Sequence, residues 1–266
     1  MRTPFHPLRL LAAAISLSLV VAAHPAMAAA SKPTPAVHNI VLVHGALTDG
    51  SSWLPLITRL QAMGYHVAAV QNPLTSLADD VSATERVLRR QSGDVLLVGH
   101  SWGGAVITQA GNAANVKGLV YLSALAPDSA ESVQDLMTKI DAPMNGLSPD
   151  PEGRVWMDDP QQFHQFMAAD LPLKTARQLV AVQQPIVAAA LGEKVAHAAW
   201  HDKPSWYLKT DDDQALRATV QQVIAERIGA HIVAIRSSHM SFLSHTEEVA
   251  RLIDHAAREA ARQTGR

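Results

Sequence analysis

The feature that most constrains the fold is an apolar run that leads directly into a serine flanked by glycines. Residues 94–104 read Asp-Val-Leu-Leu-Val-Gly-His-Ser-Trp-Gly-Gly. The four consecutive apolar residues predict a strand buried on both faces. The pattern Gly-x-Ser-x-Gly follows, and small and apolar residues at helical spacing come next. A strand, a sharp turn with Ser101 at its apex and a helix form the context in which this pattern marks a nucleophilic serine.

The glycines of this motif have a physical reason. Two residues before and after Ser101, a Cβ would collide with the neighbouring strand or helix, and the residue at the apex is itself strained. The helix that starts at the serine directs its positive end at any anion formed there. The bare pattern occurs by chance in about one chain of this length in ten, so the interpretation depends on the flanking strand and helix.

Residues 1–28 have the pattern of an export signal. Arg2 and Arg9 precede an apolar run from Leu10 to Ala23, and a small-x-small triplet ends at Ala28. We therefore expect cleavage near Ala28 and a periplasmic or secreted protein, with residues 29–36 as a flexible lead-in. Because the apolar run is shorter than the roughly 18 residues of a membrane span, we predict no stable membrane anchoring.

The composition limits the classes of partner and cofactor. The chain has 22 Lys and Arg against 24 Asp and Glu, and no cysteine. A weakly acidic chain without a basic run is not typical of nucleic-acid binding, and without cysteine there is no disulfide or thiolate metal site. The sequence lacks a phosphate-binding glycine loop and a compact set of metal ligands, so we predict no cofactor and no metal.

Strands and helices alternate along most of the chain. The predicted strands cover residues 37–44, 66–70, 95–98, 119–125, 205–210 and 231–236. The predicted helices run from Ser51 or Ser52 to Gly64, over residues 77–90, after Ser101, over residues 214–227, and onward from a capping box at Ser244 to Glu247. Alternation at this spacing predicts an α/β fold, with a mostly parallel sheet and helices on both faces.

Residues 127–203 interrupt this alternation. The stretch contains seven prolines and several short amphipathic pieces, such as residues 175–190. Since it is too long for a simple loop, we predict a helical cap inserted into a single sheet domain that spans residues 37–266. A cap of this kind covers an active site.

Two loops after later strands carry the base and the acid that Ser101 needs. A serine hydroxyl is a poor nucleophile at neutral pH, so it requires a base whose tautomer a third group holds. In a parallel sheet these groups come from the carboxyl ends of strands. We favour His239 over His245 as the base, because His239 directly follows a strand end. Of three consecutive aspartates in the other loop, we favour Asp213, with Asp212 second.

An oxyanion formed during acyl transfer needs preorganised donors, usually two backbone N–H groups. The N–H of Trp102, directly after the nucleophile, is one predicted donor. The other is the N–H of Ala46, in the loop after the first strand. We also predict that Trp200 lines the substrate pocket.

These motifs resemble the α/β-hydrolase superfamily, and within it the branch that holds plant methyl esterases, hydroxynitrile lyases and many bacterial esterase-like proteins. The resemblance covers nearly the whole chain after Ala28. It rests on residues 44–46 with 49–53, on 99–104, on 206–213, and on 238–240 with 244–245. It implies an α/β-hydrolase fold with an inserted cap. It also implies Asp213 as the acid, because in family members the acid ends the segment that begins Trp-Tyr and precedes a branched apolar residue, here Leu216, by three places.

The resemblance also separates two chemistries. The lyases of this branch have threonine in place of Gly45 and lysine in place of Met240, whereas this chain is similar to the esterase members at both positions, which we expect to contribute to the pocket. The expected function is a serine hydrolase that cleaves carboxylic esters of small, fairly apolar substrates through an acyl-enzyme on Ser101. Two alternatives are a hydroxynitrile-lyase-type enzyme with the same triad and a non-catalytic protein that binds a small ligand. The acyl and alcohol preferences and the oligomeric state stay open.

Overall fold

Six parallel strands form the central sheet, and two short strands pair elsewhere. The computed structural model of the chain describes Met1 and residues 37–142 and 148–264. The strands in these ranges are β1 Asn39–Val43, β2 His66–Ala69, β3 Val95–His100, β4 Val116–Leu122, β5 Arg154–Val155, β6 Ile186–Val187, β7 Ser205–Thr210 and β8 His231–Ile235. The sheet has the order β2-β1-β3-β4-β7-β8, and β5 pairs with β6. All neighbours in the large sheet are parallel, which confirms the predicted fold class.

Helices cover both faces of this sheet. They are α1 Leu54–Ala62, α2 Leu77–Leu88, α3 Trp102–Ala110, α4 Val133–Lys139, α5 Pro160–Met167, α6 Leu173–Ala181, α7 Ala218–Arg227, α8 Ser241–Ser244 and α9 Thr246–Thr264. Apolar side chains of α2, α3 and α7 belong to one buried cluster, and those of α1 and α9 belong to another. The sheet therefore separates two cores.

The central strands supply both cores. In β1, Val41 and Val43 belong to the cluster with α2 and α3, whereas Ile40 and Leu42 belong to the cluster with α1 and α9. Successive side chains of a strand point to opposite faces of the sheet. A strand buried on both faces consequently reads as an uninterrupted apolar run, as β1 and β3 do.

The predicted start of the first helix differs from the observed one. A 3₁₀ turn, Gly50–Trp53, precedes α1, and Asp49 rather than a serine caps it. The Asp49 carboxylate accepts a hydrogen bond from the N–H of Ser51 at 2.9 Å. An aspartate fills this capping role as well as a serine does.

The predicted capping box before the last helix is wrong. The Ser244 hydroxyl donates to Asp170 at 2.8 Å, and the Glu247 carboxylate accepts from Arg59 of α1. The short helix α8 ends at Ser244, and α9 begins two residues later. Ser244 and Glu247 therefore bond residues from other parts of the fold instead of forming a capping box with each other.

The segment between β4 and β7 holds α4, α5, α6 and the β5–β6 pair. It packs on both cores, with Phe163 and Met167 in the cluster of α1 and α9, and Val155 and Ile186 in the other. We call this segment the cap.

The predicted signal peptide and lead-in, residues 1–36, lie outside the described residues apart from Met1. Among the helices that the structure describes, none is long and apolar enough to cross a membrane. The described residues from 37 to 264 belong to one compact unit.

Candidate active site

Ser101 lies at the turn between β3 and α3 in a backbone conformation that is rare for a residue with a side chain. Its φ and ψ are 53° and −122°, which is strained for any residue except glycine. Three backbone hydrogen bonds hold it there. The Ser101 N–H donates to Leu122 at 3.2 Å, and the Ser101 carbonyl accepts from Gly104 at 3.0 Å and from Leu125 at 3.1 Å. The turn is thus fixed from β4 as well as from α3.

The two glycines of the motif allow backbones to approach closely. A Cβ on Gly103 would lie 2.4 Å from the carbonyl oxygen of Val43 in β1, and a Cβ on Gly99 would lie 2.5 Å from the carbonyl oxygen of Gly103. Both distances are far shorter than a real contact between carbon and oxygen. The sequence requirement for glycine at these positions therefore has a steric cause.

His239 and Asp213 form a buried pair at the ends of β8 and β7. His239 Nδ1 and Asp213 Oδ2 are 2.7 Å apart, and both side chains are buried. Asp213 Oδ2 also accepts from Thr210 Oγ1 and from Gln221 Nε2, each at 2.9 Å. A carboxylate in this position keeps the proton on Nδ1 and leaves Nε2 free to act as a base.

The second carboxylate oxygen of Asp213 shapes the loop that follows it. Asp213 Oδ1 accepts from the N–H groups of Ala215 and Leu216, both at 2.8 Å. These bonds keep residues 214–217 out of the predicted helix, and α7 begins only at Ala218. Asp212, the other candidate acid, is exposed and lies 3.5 Å from Arg236. The structure therefore brings Asp213, and not Asp212, to His239.

The loop after β1 contains a hydrogen-bond network that the sequence did not reveal. His44 Nε2 accepts from the Asn72 N–H at 2.9 Å, so the proton is on Nδ1, which donates to the Gly45 carbonyl at 2.8 Å. Thr48 Oγ1 donates to the same carbonyl at 3.1 Å. Burial lowers the pKa of His44, which keeps it neutral. In a trans peptide the Ala46 N–H points opposite to this carbonyl.

The ring of His100 packs against the ring of His239. Its Nε2 donates to the His239 carbonyl at 3.0 Å, and the two ring centroids are 4.6 Å apart. Burial holds the pKa of His100 well below its usual range, so this ring is neutral and cannot compete for the proton of His239. The position between Gly99 and Ser101 carried no signal of this contact in the sequence.

Trp102 is anchored through its side chain to a buried carboxylate. Its indole Nε1 donates to Asp80 Oδ2 at 2.7 Å, and Asp80 Oδ1 accepts from the Leu74 N–H at 2.8 Å. Asp80 is fully buried, and burial raises the pKa of its carboxyl to about 6. This contact fixes the first residue of α3, next to Ser101.

A cavity of about 450 Å³ opens onto Ser101 and His239. Its lining is mostly apolar and comes from loops of the sheet domain and from the cap. The apolar lining residues are Ala46, Leu47, Trp102, Leu125, Met137, Ala142, Val155, Met157, Phe166, Met167, Ile186, Leu191, Ala215, Leu216 and Val220. Gln162, Gln214 and Arg217 add polar groups. This volume is in the range of pockets for small molecules.

None of the three residues predicted to line the pocket, Gly45, Trp200 and Met240, is among the residues that line this cavity. Met240 is fully buried in the core with α1 and α9, because adjacent residues of its loop point to different sides. The Trp200 indole donates to the Pro127 carbonyl at 3.0 Å, and its ring lies tilted against that of His201 with the centroids 3.8 Å apart. Gly45 acts through its missing side chain, since a Cβ there would lie 2.8 Å from the Ser101 Cβ.

No group of three or more His, Cys, Asp or Glu side chains able to hold a metal ion occurs in the described parts of the chain.

Ser101, Asp213 and His239 follow β3, β7 and β8, which is the chain order of the predicted nucleophile, acid and base. This order at one edge of a parallel sheet is that of enzymes with a nucleophile elbow. The model of the family described as the alpha/beta hydrolase family matches residues 40–252, and the chain belongs to this family.

The chain is similar to several known members over most of its length. An alpha/beta hydrolase of Aspergillus novofumigatus is 29% identical over 245 residues, which are 83% of this chain and 97% of that protein. A pyrethroid hydrolase of Sphingobium wenxiniae is 26% identical over 246 residues, 82% of this chain and 86% of that one. The crystal structure of polyneuridine aldehyde esterase has a TM-score of 0.70 at 20% identity and covers 82% of this chain and 98% of its own. The chain is an esterase-type member of the family, a carboxylic ester hydrolase.

Proposed function

We propose that this chain is an exported serine hydrolase that cleaves carboxylic esters of small, fairly apolar substrates through an acyl-enzyme on Ser101. The observation that carries the proposal is the buried hydrogen bond of 2.7 Å between His239 and Asp213, at a cavity that Ser101 also lines. A serine beside an imidazole whose tautomer is held by a buried carboxylate is equipped for acyl transfer.

In the first half-reaction, Ser101 Oγ attacks the ester carbonyl while His239 takes the hydroxyl proton. Collapse of the tetrahedral intermediate breaks the bond to the alcohol, and His239 gives its proton to the departing oxygen. In the second half-reaction, water transfers a proton to His239 and adds to the acyl carbonyl. The carboxylic acid leaves as the proton returns to Ser101. Asp213 orients the imidazole and stabilises the imidazolium in both steps.

The backbone N–H groups of Ala46 and Trp102 are the proposed oxyanion donors. Both residues line the cavity beside Ser101. The hydrogen bonds from His44 and Thr48 to the Gly45 carbonyl orient the peptide that carries the Ala46 N–H. A single preorganised donor of this kind lowers the barrier by about 3 to 4 kcal/mol.

The substrate class is proposed from the cavity. A volume of about 450 Å³ with a mainly apolar lining suits a small ester whose acyl or alcohol part is apolar. The polar side chains of Gln162, Gln214 and Arg217 offer hydrogen-bond partners to a polar substituent of the substrate.

The lyase alternative has less support. The lyases of the branch that this sequence resembles carry threonine at the position of Gly45. Here a Cβ at that position would lie 2.8 Å from the Ser101 Cβ and 3.0 Å from the His100 carbonyl oxygen. Met240, at the position of the lysine of the lyases, is buried away from the cavity. Both sites favour hydrolysis over cyanohydrin cleavage.

The proposal is tested by stopped-flow hydrolysis of p-nitrophenyl acetate and butyrate. The full chain is expressed in a bacterial host, purified from the periplasm and compared with Ser101→Ala. We expect a burst of nitrophenol followed by turnover, no burst in the variant, and an intact mass that shows cleavage near Ala28. Full activity in Ser101→Ala would overturn the mechanism, and recovery only as an uncleaved cytoplasmic chain would overturn export.

A further inference from the structure

A single carboxylate of the cap holds the loop that carries His239. Asp170 lies in the turn between α5 and α6. Its Oδ2 accepts from Ser237 Oγ at 2.8 Å, from the Ser238 N–H at 3.0 Å and from Ser244 Oγ at 2.8 Å. Its Oδ1 accepts a short hydrogen bond from Ser238 Oγ. Four donors from both sides of His239 thus converge on one side chain.

The cap makes a second contact with the same loop. The Met240 N–H donates to the carbonyl of Met167, the last residue of α5, at 3.1 Å. The residues directly before and after His239 are therefore both hydrogen-bonded to the cap, Ser238 to the turn after α5 and Met240 to the last residue of α5. The His239 carbonyl accepts from His100 on the sheet side. The backbone of the base is held between the cap and β3, while Asp213 holds its ring.

The chemistry of this contact requires an ionised carboxylate. Ser237 and Ser238 are almost fully buried, so their donors have little access to water. Burial opposes the charge on Asp170, but the hydrogen bonds from the three serines outweigh it and lower the pKa of this carboxyl. An ionised carboxylate only accepts hydrogen bonds and can take all four donors, whereas an amide has one acceptor oxygen and donors of its own.

We propose that Asp170 is a positioning residue that sets the place of His239 relative to Ser101 by clamping the loop of residues 237–240 to the cap. The inference rests on the proposed function, because it concerns how the base is held for acyl transfer. On this proposal the turn after α5 positions a catalytic group in addition to covering the active site. A displacement of about 1 Å at a reacting group costs about 100-fold in rate.

The experiment compares the parent with Asp170→Ala, Asp170→Asn and a matched control, Asp150→Ala. Asp150 is another cap carboxylate that accepts three hydrogen bonds, from the N–H groups of Glu152 and Arg154 and from the Trp156 indole, and it has none with the loop of residues 237–240. Three readouts are taken: kcat and KM for p-nitrophenyl butyrate, the rate of covalent labelling of Ser101 by a fluorophosphonate, and the downfield proton resonance of the hydrogen bond between His239 and Asp213.

We expect Asp170→Ala to lower kcat and the labelling rate by about 100-fold with KM changed less than about threefold, and to broaden or shift the downfield resonance. Asp170→Asn, which keeps one acceptor, should lie between Asp170→Ala and the parent. Asp150→Ala should match the parent in all three readouts. Circular dichroism checks that each variant is folded. If Asp170→Ala does not fold, the inference is tested by the three readouts of Asp170→Asn.

Parent-like labelling and an unchanged resonance in folded Asp170 variants would overturn the inference. A parent that shows the downfield resonance but cleaves no ester would instead overturn the proposed function. Loss of that resonance in Asp170→Ala would still support the positioning role in such a case, so the two failures are distinguishable.

Discussion

Buried polar side chains fix the backbone groups next to Ser101. His44 is neutral and binds the peptide between Gly45 and Ala46, and Asp80 binds the indole of Trp102. A buried polar group costs free energy unless it is hydrogen-bonded, and a buried charge costs more. Asp80 has two donors but lies in an apolar surrounding, which is why burial raises the pKa of its carboxyl to about 6.

This raised pKa makes a prediction at the residue scale. A carboxyl that binds its proton more tightly in the folded state stabilises the fold at low pH, and the stabilisation is lost as pH rises through the folded pKa. The increase in the pKa of Asp80 from 3.8 to about 6 corresponds to about 3 kcal/mol. Relative to Asp80→Asn, the parent should lose up to about 3 kcal/mol of unfolding free energy between pH 4 and pH 7.

Urea unfolding of both proteins at several pH values measures this difference. The comparison cancels the other titrating groups, which the two proteins share. A constant difference between the parent and Asp80→Asn across this pH range would contradict the assignment.

At the scale of elements, α7 supports the acid of the site through one side chain. Gln221 is fully buried, its Oε1 accepts from the Thr210 N–H at 3.0 Å, and its Nε2 donates to Asp213 Oδ2 at 2.9 Å. The helix can reach both groups because the loop around Asp213 delays its start to Ala218. The position of α7 thus determines how the carboxylate of Asp213 is held.

We predict that Gln221→Leu destabilises the fold and lowers activity. The substitution leaves the buried Thr210 N–H without its partner and removes one donor from Asp213. An unsatisfied buried group costs about 1 to 3 kcal/mol, so the unfolding free energy should fall by that amount and kcat should fall with it. Gln222→Leu is the matched control, because Gln222 lies on the same helix and donates to Glu226 on its exposed side, away from Asp213. Equal effects of the two substitutions would show that the contacts of Gln221 are unimportant.

At the scale of the whole molecule, the cap shares its apolar contacts with the sheet domain. Phe163 and Met167 pack in the core with α1 and α9, and Val155 and Ile186 pack in the other core. The Arg227 guanidinium of α7 binds the Glu131 carboxylate before α4 at 2.6 Å and 3.0 Å. Removing the cap would expose apolar surface on both faces of the sheet.

We therefore predict that the cap and the sheet domain unfold in one transition. Guanidinium unfolding followed by far-ultraviolet circular dichroism and by tryptophan fluorescence should give coincident curves. Trp156 and Trp200 report on the cap, and the other three tryptophans report on the sheet domain. A Trp156→Phe variant should leave the midpoint unchanged. Separate transitions would show that the cap folds independently.

The sequence by itself determined the fold class, and it singled out Ser101 as the proposed nucleophile. The elbow needs a buried strand, glycines around Ser101 and a helix of small residues, and all of these requirements fall within about fifteen consecutive residues. Period-two and period-3.6 patterns are equally local. For this reason the strand over residues 205–210 was predicted with its exact bounds, and the order Ser101, Asp213, His239 could be read from strand ends.

Only the tertiary structure decided which side chains support these groups. Asp170, Asp80 and Gln221 bind partners that are 68, 22 and 8 residues away in the chain, and a hydrogen bond between distant residues leaves no local pattern. The same cause explains the wrong capping box, in which Ser244 turns to Asp170, and the misplaced pocket residue Met240, which packs inward. Secondary structure and the nucleophile motif depend on neighbouring residues and can be predicted from them, whereas the pairing of buried polar groups depends on how the elements pack.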